Sequence, residues 1–430
     1  MPSPFTADAL ARVAERNGDP DWLRARREEA FARFESLPWP DGTAEEWRKT
    51  DIRALDIDAF DPEPSPVEVS SVEARERFGE VRGFALQLDA DIITCELDEE
   101  LLARGVVFAP FGRAAAEHAF VKDALGSVGV GRSDEKFHAL SAAFAGGGAL
   151  IHVPRGVVVD KPIASVRRIT RAGVAMFPRV LVIAEEGAEV TVIDQYVSTE
   201  LDGEALCVAN VEIIAHPASV VSYLAVQDFG QSVWHLNVQR ALLERDATVR
   251  SLAATLGGRL SRSKVDCILA GQGANSEMLG LYFGDRAQHI DNRSLQDHRA
   301  PNTTSDLFYK GALKGTSHAV YSGLVRIAKG AQKTNAQQTS RNLLLSPGAG
   351  ADPKPFLEIE ANDVRCTHGV SVGRPDREVL FYLQSRGLDA AEAERVFVTG
   401  FLQEVIDRVH VPEVRAVLER AVADELALEA

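Results

Sequence analysis

Glu186-Gly187-Ala188-Glu189-Val190-Thr191-Val192-Ile193 reads as a tight turn running straight into a β-branched strand. The same texture returns at Pro217-Ala218-Ser219 followed by Val220-Val221-Ser222-Tyr223. Similar small turns stand at Asp246-Ala247-Thr248, Gly273-Ala274-Asn275, Lys329-Gly330-Ala331 and Pro347-Gly348-Ala349. The first four recur at about 27 to 31 residues, a weak period of the kind solenoids show. No apolar stripe long enough for a helix separates these strands. Parallel strands without crossover helices must cover their apolar faces in another way. Coiling into a β-helix does so, because each coil stacks on the next around one interior column. A two-sheet antiparallel sandwich is the alternative, and it calls for repeated Asn-Gly or Asp-Gly hairpins; the region offers only Asp202-Gly203. The chain is therefore expected to be mainly β, with a parallel β-helix core over residues 141–370.

Both flanks change period. Residues 1–140 are expected to form a mostly helical N-terminal domain. Asp19-Pro20 places an N-cap before proline at the first helical position, and Trp22, Leu23, Ala30, Phe31 and Phe34 follow at roughly helical spacing. Leu37-Pro38-Trp39-Pro40 ends that helix, since each proline pushes the residue before it out of the α region. Residues 371–430 are expected to form a helical C-terminal domain. One helix runs over Glu378–Arg386 with Gly387 behind it. A second runs from about Ala390 to Val409, with Ala393, Val396, Phe397, Phe401, Val405 and Ile406 on one apolar stripe. Such an appendage either caps a solenoid or docks a partner.

With 430 residues, 45% of them hydrophobic, the chain can bury a large core. A net charge of −16 argues against a nucleic-acid partner, which would need clustered Lys and Arg. No apolar run approaches the roughly 20 residues that span a bilayer, and Met1 to Arg12 does not read as a secretory signal. Cys95, Cys207, Cys267 and Cys366 lie far apart and form no CxxC pair, which fits a reducing cytoplasm and excludes a self-contained zinc knuckle.

The most informative chemistry lies in Leu357-Glu358-Ile359-Glu360-Ala361-Asn362-Asp363-Val364-Arg365-Cys366-Thr367-His368-Gly369. On a strand, the period of two puts Cys366 and His368 on one face. Thiolate plus imidazole suits iron or zinc, yet two ligands are too few, and a second chain could supply the rest at a subunit interface. A buried cysteine beside a histidine bonded to a backbone carbonyl is the plain alternative. Cys207 and Cys267 sit between apolar neighbours and read as inert thiols; Cys95, His298 and His318 read as structural. No GxxxxGK[ST] or GxGxxG is present. One GxSxG match, Gly369-Val370-Ser371-Val372-Gly373, has Asp389 and His410 downstream in the order of a hydrolase triad, but the α/β alternation that would build a nucleophile elbow is missing.

Longer motifs carry a resemblance. Ile151-His152-Val153-Pro154-Arg155-Gly156-Val157, Asp291-Asn292-Arg293-Ser294 with His298, and Ala331-Gln332-Lys333-Thr334-Asn335-Ala336 are among them. Asn342-Leu343-Leu344-Leu345-Ser346, Lys354-Pro355 and above all Asp363-Val364-Arg365-Cys366-Thr367-His368-Gly369 continue the series, with Leu380-Phe381-Tyr382-Leu383 and Ser385-Arg386-Gly387 behind. Together they resemble the SufB/SufD family of iron–sulfur cluster assembly proteins, over roughly residues 140–410. Length and Glu45-Glu46-Trp47-Arg48-Lys49-Thr50-Asp51 are most like SufD, although Lys49 stands where that signature usually has tyrosine.

The resemblance implies a right-handed parallel β-helix between helical domains, and a cytoplasmic, non-catalytic scaffold subunit. It implies a complex with a SufB-like subunit and two copies of a SufC-like ATPase, with the C-terminal helices docking SufC; Phe397, Phe401, Leu402 and Val405 are the docking candidates. His368, with Cys366 beside it, matches the SufD residue implicated at the SufB interface where the nascent cluster forms. No cofactor is expected to be held tightly by the isolated chain, only a transient iron–sulfur cluster or iron at that interface. ATP binding to SufC would pull on the C-terminal domains and open the interface. Three other readings stand beside this one: a SufB-like subunit accepting persulfide on Cys207 or Cys267, a structural homodimer without a metal role, and a carbohydrate-active β-helix enzyme.

Overall fold

The computed structural model describes residues 3–65, 75, 78–129 and 136–427. Successive strands from Arg179 onwards alternate between two ten-stranded sheets, and each pairs in parallel with the strand of the coil before it. The result is a parallel β-solenoid of about 8 turns with helices at both termini. The strand order of one sheet ends on Asn335–Leu344 and Arg365–Gly373, that of the other on His318–Ile327 and Gly350–Ile359.

The recurrent turn is one corner of this coil. Gly187, Ala218, Asp246 and Gly273 each take a positive φ, between 56° and 77°, and each is followed by a fully buried small residue: Ala188, Ser219, Ala247 and Ala274. Asn302-Thr303 and Lys333-Thr334 repeat the device. One residue reverses the chain in the left-handed region, and the next, too small to protrude, lets the coils stack. At position 273 glycine has a further reason, since a Cβ there would run into the Asp246 carboxylate of the coil before. Of the other turns singled out by sequence, Lys329-Gly330-Ala331 sits just before this corner and Pro347-Gly348-Ala349 on a different one.

Inside the coils runs one long apolar column, including Val153, Ala184, Val190, Ile213, Val221, Leu243, Val249 and Leu269. Towards the last coils polar groups replace it. The Tyr282 hydroxyl bonds to Asn342, Ser294 pairs with Tyr321 at 3.1 Å, and Gln338 donates to the Gly323 carbonyl at 3.2 Å. His298 is fully buried, with both ring nitrogens engaged by Thr303 and Ser305 at 2.8 and 2.9 Å.

The outer faces are covered from opposite ends of the chain. Phe5, Phe31, Phe34, Phe137 and Phe144 pack on Leu206, Trp234, Leu236 and Leu260 of one sheet. Val398, Leu402, Val405 and Ile406 pack on Leu252, Leu279, Leu281 and Ala312 of the other. Lys310, itself buried, pins that second layer: its ammonium donates to the Phe401 carbonyl at 2.8 Å and pairs with Glu404 at 2.7 Å.

Three local expectations need correction. The stretch before residue 140 also contributes strands: Gly83–Leu88 pairs in parallel with Ile163–Ile169 and antiparallel with Asp91–Leu97, and Val107–Pro110 pairs antiparallel with Gly148–Val153. These short strands close the first coil, so the sheets begin well upstream of residue 141; at the other end, the last strand runs on to Gly373. Asp19 is not a helix cap. It is buried and bonds Arg27 at 2.5 Å, while Pro20 takes the capping position of the helix Asp21–Ser36. The second C-terminal helix ends at Ile406 rather than near Val409.

Candidate functional site

Strand Arg365–Gly373 lies on Asn335–Leu344 in a register that pairs Ala336 with Cys366, Gln338 with His368, Ser340 with Val370 and Asn342 with Val372. The four residues on the earlier strand are all buried in the coil interior. Residues paired in parallel register share a face, so Cys366, His368, Val370 and Val372 continue the interior column. Among the described residues no further strand pairs with Arg365–Gly373 or Gly350–Ile359 on the far side. The column therefore ends in the open: Val370 and Val372 are each 41% exposed, and Ile359 on the facing strand is 42% exposed.

Cys366 and His368 thus sit on one face, about 7 Å apart along the strand. The cysteine is half-buried at the edge of a small cluster with Val325, Ile327 and Ala336, while His368 is exposed. Partial burial pushes the Cys366 thiol up, against a backbone hydrogen bond at Ala336 that favours the thiolate. Metal binding there would have to displace the proton. Among the described residues, no three His, Cys, Asp or Glu side chains are grouped to hold a metal ion.

The docking candidates divide. Leu402 and Val405 are fully buried in the chain's own apolar layer against the solenoid, and Phe397 and Phe401 pack partly against it. Leu402 and Val405 thus serve intramolecular packing and cannot present a surface to another chain. The preceding helix, Arg377–Ser385, behaves oppositely: none of its residues is buried, and Phe381 is 73% exposed beside Val379 and Tyr382. Val396, on the outer side of the helix Ala390–Ile406, is exposed as well.

The segment Glu45–Asp51 is a clip across the outer face of one sheet. Trp47 is buried beneath the Arg262 guanidinium, 4.0 Å from its ring centroid. Arg262 pairs with the buried Asp291, which also accepts from Thr50 at 2.7 Å, and Lys49 reaches Asp352 at 3.3 Å. Arg262 and Arg293 both donate to the Glu46 carbonyl. His289 bonds Thr50 at 3.2 Å and stacks on His318, which is held by Asp352 at 2.9 Å. The segment's sequence can be read; its receiving surface, drawn from four strands, cannot.

The remaining cysteines are enclosed by the chain itself to different degrees. Cys207 and Cys267 are buried, and burial raises both thiols, Cys267 to about 12. Cys95 is pushed up to about 12 by burial as well, and its thiol lies 3.6 Å from the Phe108 carbonyl. The GxSxG match lies inside the extended strand Arg365–Gly373, with Asp389 capping a helix and His410 beside Glu277, so no nucleophile elbow forms. No described helix is long and apolar enough to cross a membrane.

Comparison with known proteins follows this geometry. Residues 167–401 match the family model described as SUF system FeS cluster assembly, SufBD core domain, and residues 11–164 match the SufBD protein N-terminal region. An iron–sulfur cluster assembly SufBD family protein of Staphylococcus saprophyticus is 26% identical over 418 residues, covering 93% of this chain and 88% of that one. Proteins of the same description from Staphylococcus epidermidis and Staphylococcus aureus are 26% and 27% identical over 419 and 413 residues, with the same coverage.

Proposed function

The chain belongs to the SufBD family of iron–sulfur cluster assembly proteins, and from that premise we propose that it serves as a SufD-like scaffold subunit in the cytoplasm. The observation that carries this reading is the last coil, which no described strand covers and where Cys366 and His368 stand on an interior column that a second chain can continue. A SufB-like subunit docking end to end would cover Val370 and Val372, pair the free strand edges and supply the ligands that two side chains cannot. Iron or a nascent cluster is then transient cargo at the interface, held by donors from both chains, and no tightly bound cofactor or catalytic step is assigned to this chain. Without its partner, the same open end would pair two copies of the chain.

Coupling to a SufC-like ATPase fits the exposed apolar side chains Val379, Phe381, Tyr382 and Val396, with Phe397 and Phe401 at their inner margin. Leu402 and Val405 transmit rather than receive such a contact, because they anchor the second helix to the solenoid. Nucleotide binding could open the interface only by favouring one arrangement of the complex over another. The test is a pull-down of the tagged chain from its native cells. SufB-like and SufC-like chains should come with it, and recovery of the chain alone or only as a homodimer would end the scaffold reading.

A further inference from the structure

Away from the open end, two neighbouring rows on the outer face of one sheet differ in chemistry. Register pairs Lys264 with Arg293, Arg293 with Ser322 and Ser322 with Lys354. Two residues further along each strand, Asp266, Leu295, Leu324 and Phe356 form the adjacent row. Lys264, Arg293 and Lys354 thus run beside Leu295, Leu324 and Phe356, and the clip segment carrying Glu45, Glu46 and Lys49 lies over them. Between clip and sheet remains a cleft of about 410 Å³. That falls in the range of about 300–1,000 Å³ typical of small-molecule sites.

Charges in the cleft are partly committed. Arg240 pairs with Asp266 at 2.5 Å, Lys49 with Asp352 at 3.3 Å, Arg293 with Asp291 at 3.1 Å, and the Glu46 carboxylate reaches Arg262 at 3.7 Å. Glu45 and Glu358 are exposed at its edge. On a chain of net charge −16, the cleft lining holds Lys49, Arg240, Lys264, Arg293 and Lys354 against Glu45, Glu46, Asp266 and Glu358, so the acidic excess of the chain is absent there. Phe356, 44% exposed on the outward row, offers a flat apolar face beside them. The cleft is not lined by Cys366 or His368.

We propose that this cleft binds a small organic anion with an aromatic body, the body lying on Leu324 and Phe356 and the phosphate or carboxylate over Arg293 and Lys354. Calorimetric titration of the full chain with AMP and with indole-3-acetate separates the two anion types, with adenosine and inorganic phosphate as half-molecule controls. At least one aromatic anion should bind, and its half-molecules should bind at least about tenfold more weakly. Ser322→Trp fills the cleft and should abolish binding. Lys354→Glu, away from the clip's contacts, should weaken it at least about tenfold, and Lys161→Glu in a distant coil should leave it unchanged. Absence of binding by both aromatic anions at millimolar concentration overturns the inference. So does binding that survives both Ser322→Trp and Lys354→Glu.

Discussion

Gln338 and His368 are register partners on adjacent parallel strands, yet Gln338 is 1% exposed and His368 lies open to solvent. The two positions share a face and a register; a coil covers the first, and no described strand covers the second. The same contrast separates Ser340 from Val370 and Asn342 from Val372. An interior column left open in this way offers paired donors, apolar side chains and free strand edges together.

Replacing His368 by Ala should leave folding nearly untouched, within about 0.5 kcal/mol, because the side chain already faces water. Cluster assembly on the purified complex should fall at least about tenfold if the imidazole is one of the metal's few ligands. Reconstitution followed by ultraviolet–visible absorbance measures this. Unchanged assembly in an intact complex would remove His368 from the site, and Cys366→Ser distinguishes the thiol's share.

Val370→Asp combined with Val372→Asp tests the open end as an interface. In a single copy of the chain both changes meet solvent and should cost little to folding, while pairing of two copies through the same end should weaken. Buried against a partner, two unpaired carboxylates cost several kcal/mol, so affinity should drop by about a thousandfold. Analytical ultracentrifugation of the chain with the proposed SufB-like partner reads the loss directly. Full retention of the complex would show that the partner sits elsewhere.

Phe381→Ala and Leu402→Ala should part company. Phe381 stands in solvent, so its loss should leave the thermal midpoint nearly unchanged while reducing recovery of the proposed SufC-like ATPase. Leu402 is fully buried against the solenoid, and its truncation should cost about 2–5 kcal/mol of stability. Equal recovery of the ATPase by the Phe381 variant would shift the docking surface away from this helix.

Acid should loosen the chain through its buried imidazoles. Burial holds His298 down to about 4 and His235 down to about 3, against an ordinary value of 6.5. The unfolded chain therefore takes up these protons first. Their contribution is complete above pH 6.5 and drains away as pH falls towards 4, at up to about 1.4 kcal/mol per pH unit for each histidine. Urea midpoints measured from pH 7 to pH 4.5 should decline accordingly, and His298→Gln should flatten the slope by about one proton. An unaltered slope would exclude His298 as a source.

Much of this architecture was legible because it is local. A small turn running into a β-branched strand, repeated about every 30 residues, needs no distant partner to be recognised. The strands before residue 140 were not legible: Gly83–Leu88 is short and acquires its role by lying on Ile163–Ile169, some 80 residues later. Asp19 misled for a related reason. Its sequence position is that of a cap, and only the fold brings Arg27 against it in a buried pair.

The site divides along the same line. The sequence alone determined that Cys366 and His368 share a strand face, since a period of two follows from backbone geometry. It also determined the apolar composition of the helices Arg377–Ser385 and Ala390–Ile406. Whether that shared face points into a sealed coil or onto an open end depends on how many coils stack above it, which is a property of the assembled solenoid. Which helix is spent on the chain's own core and which stays free is settled the same way, by Leu279 and Leu281 meeting Leu402 across more than a hundred residues. Burial arises from contacts between distant segments, and no stretch of sequence carries it by itself.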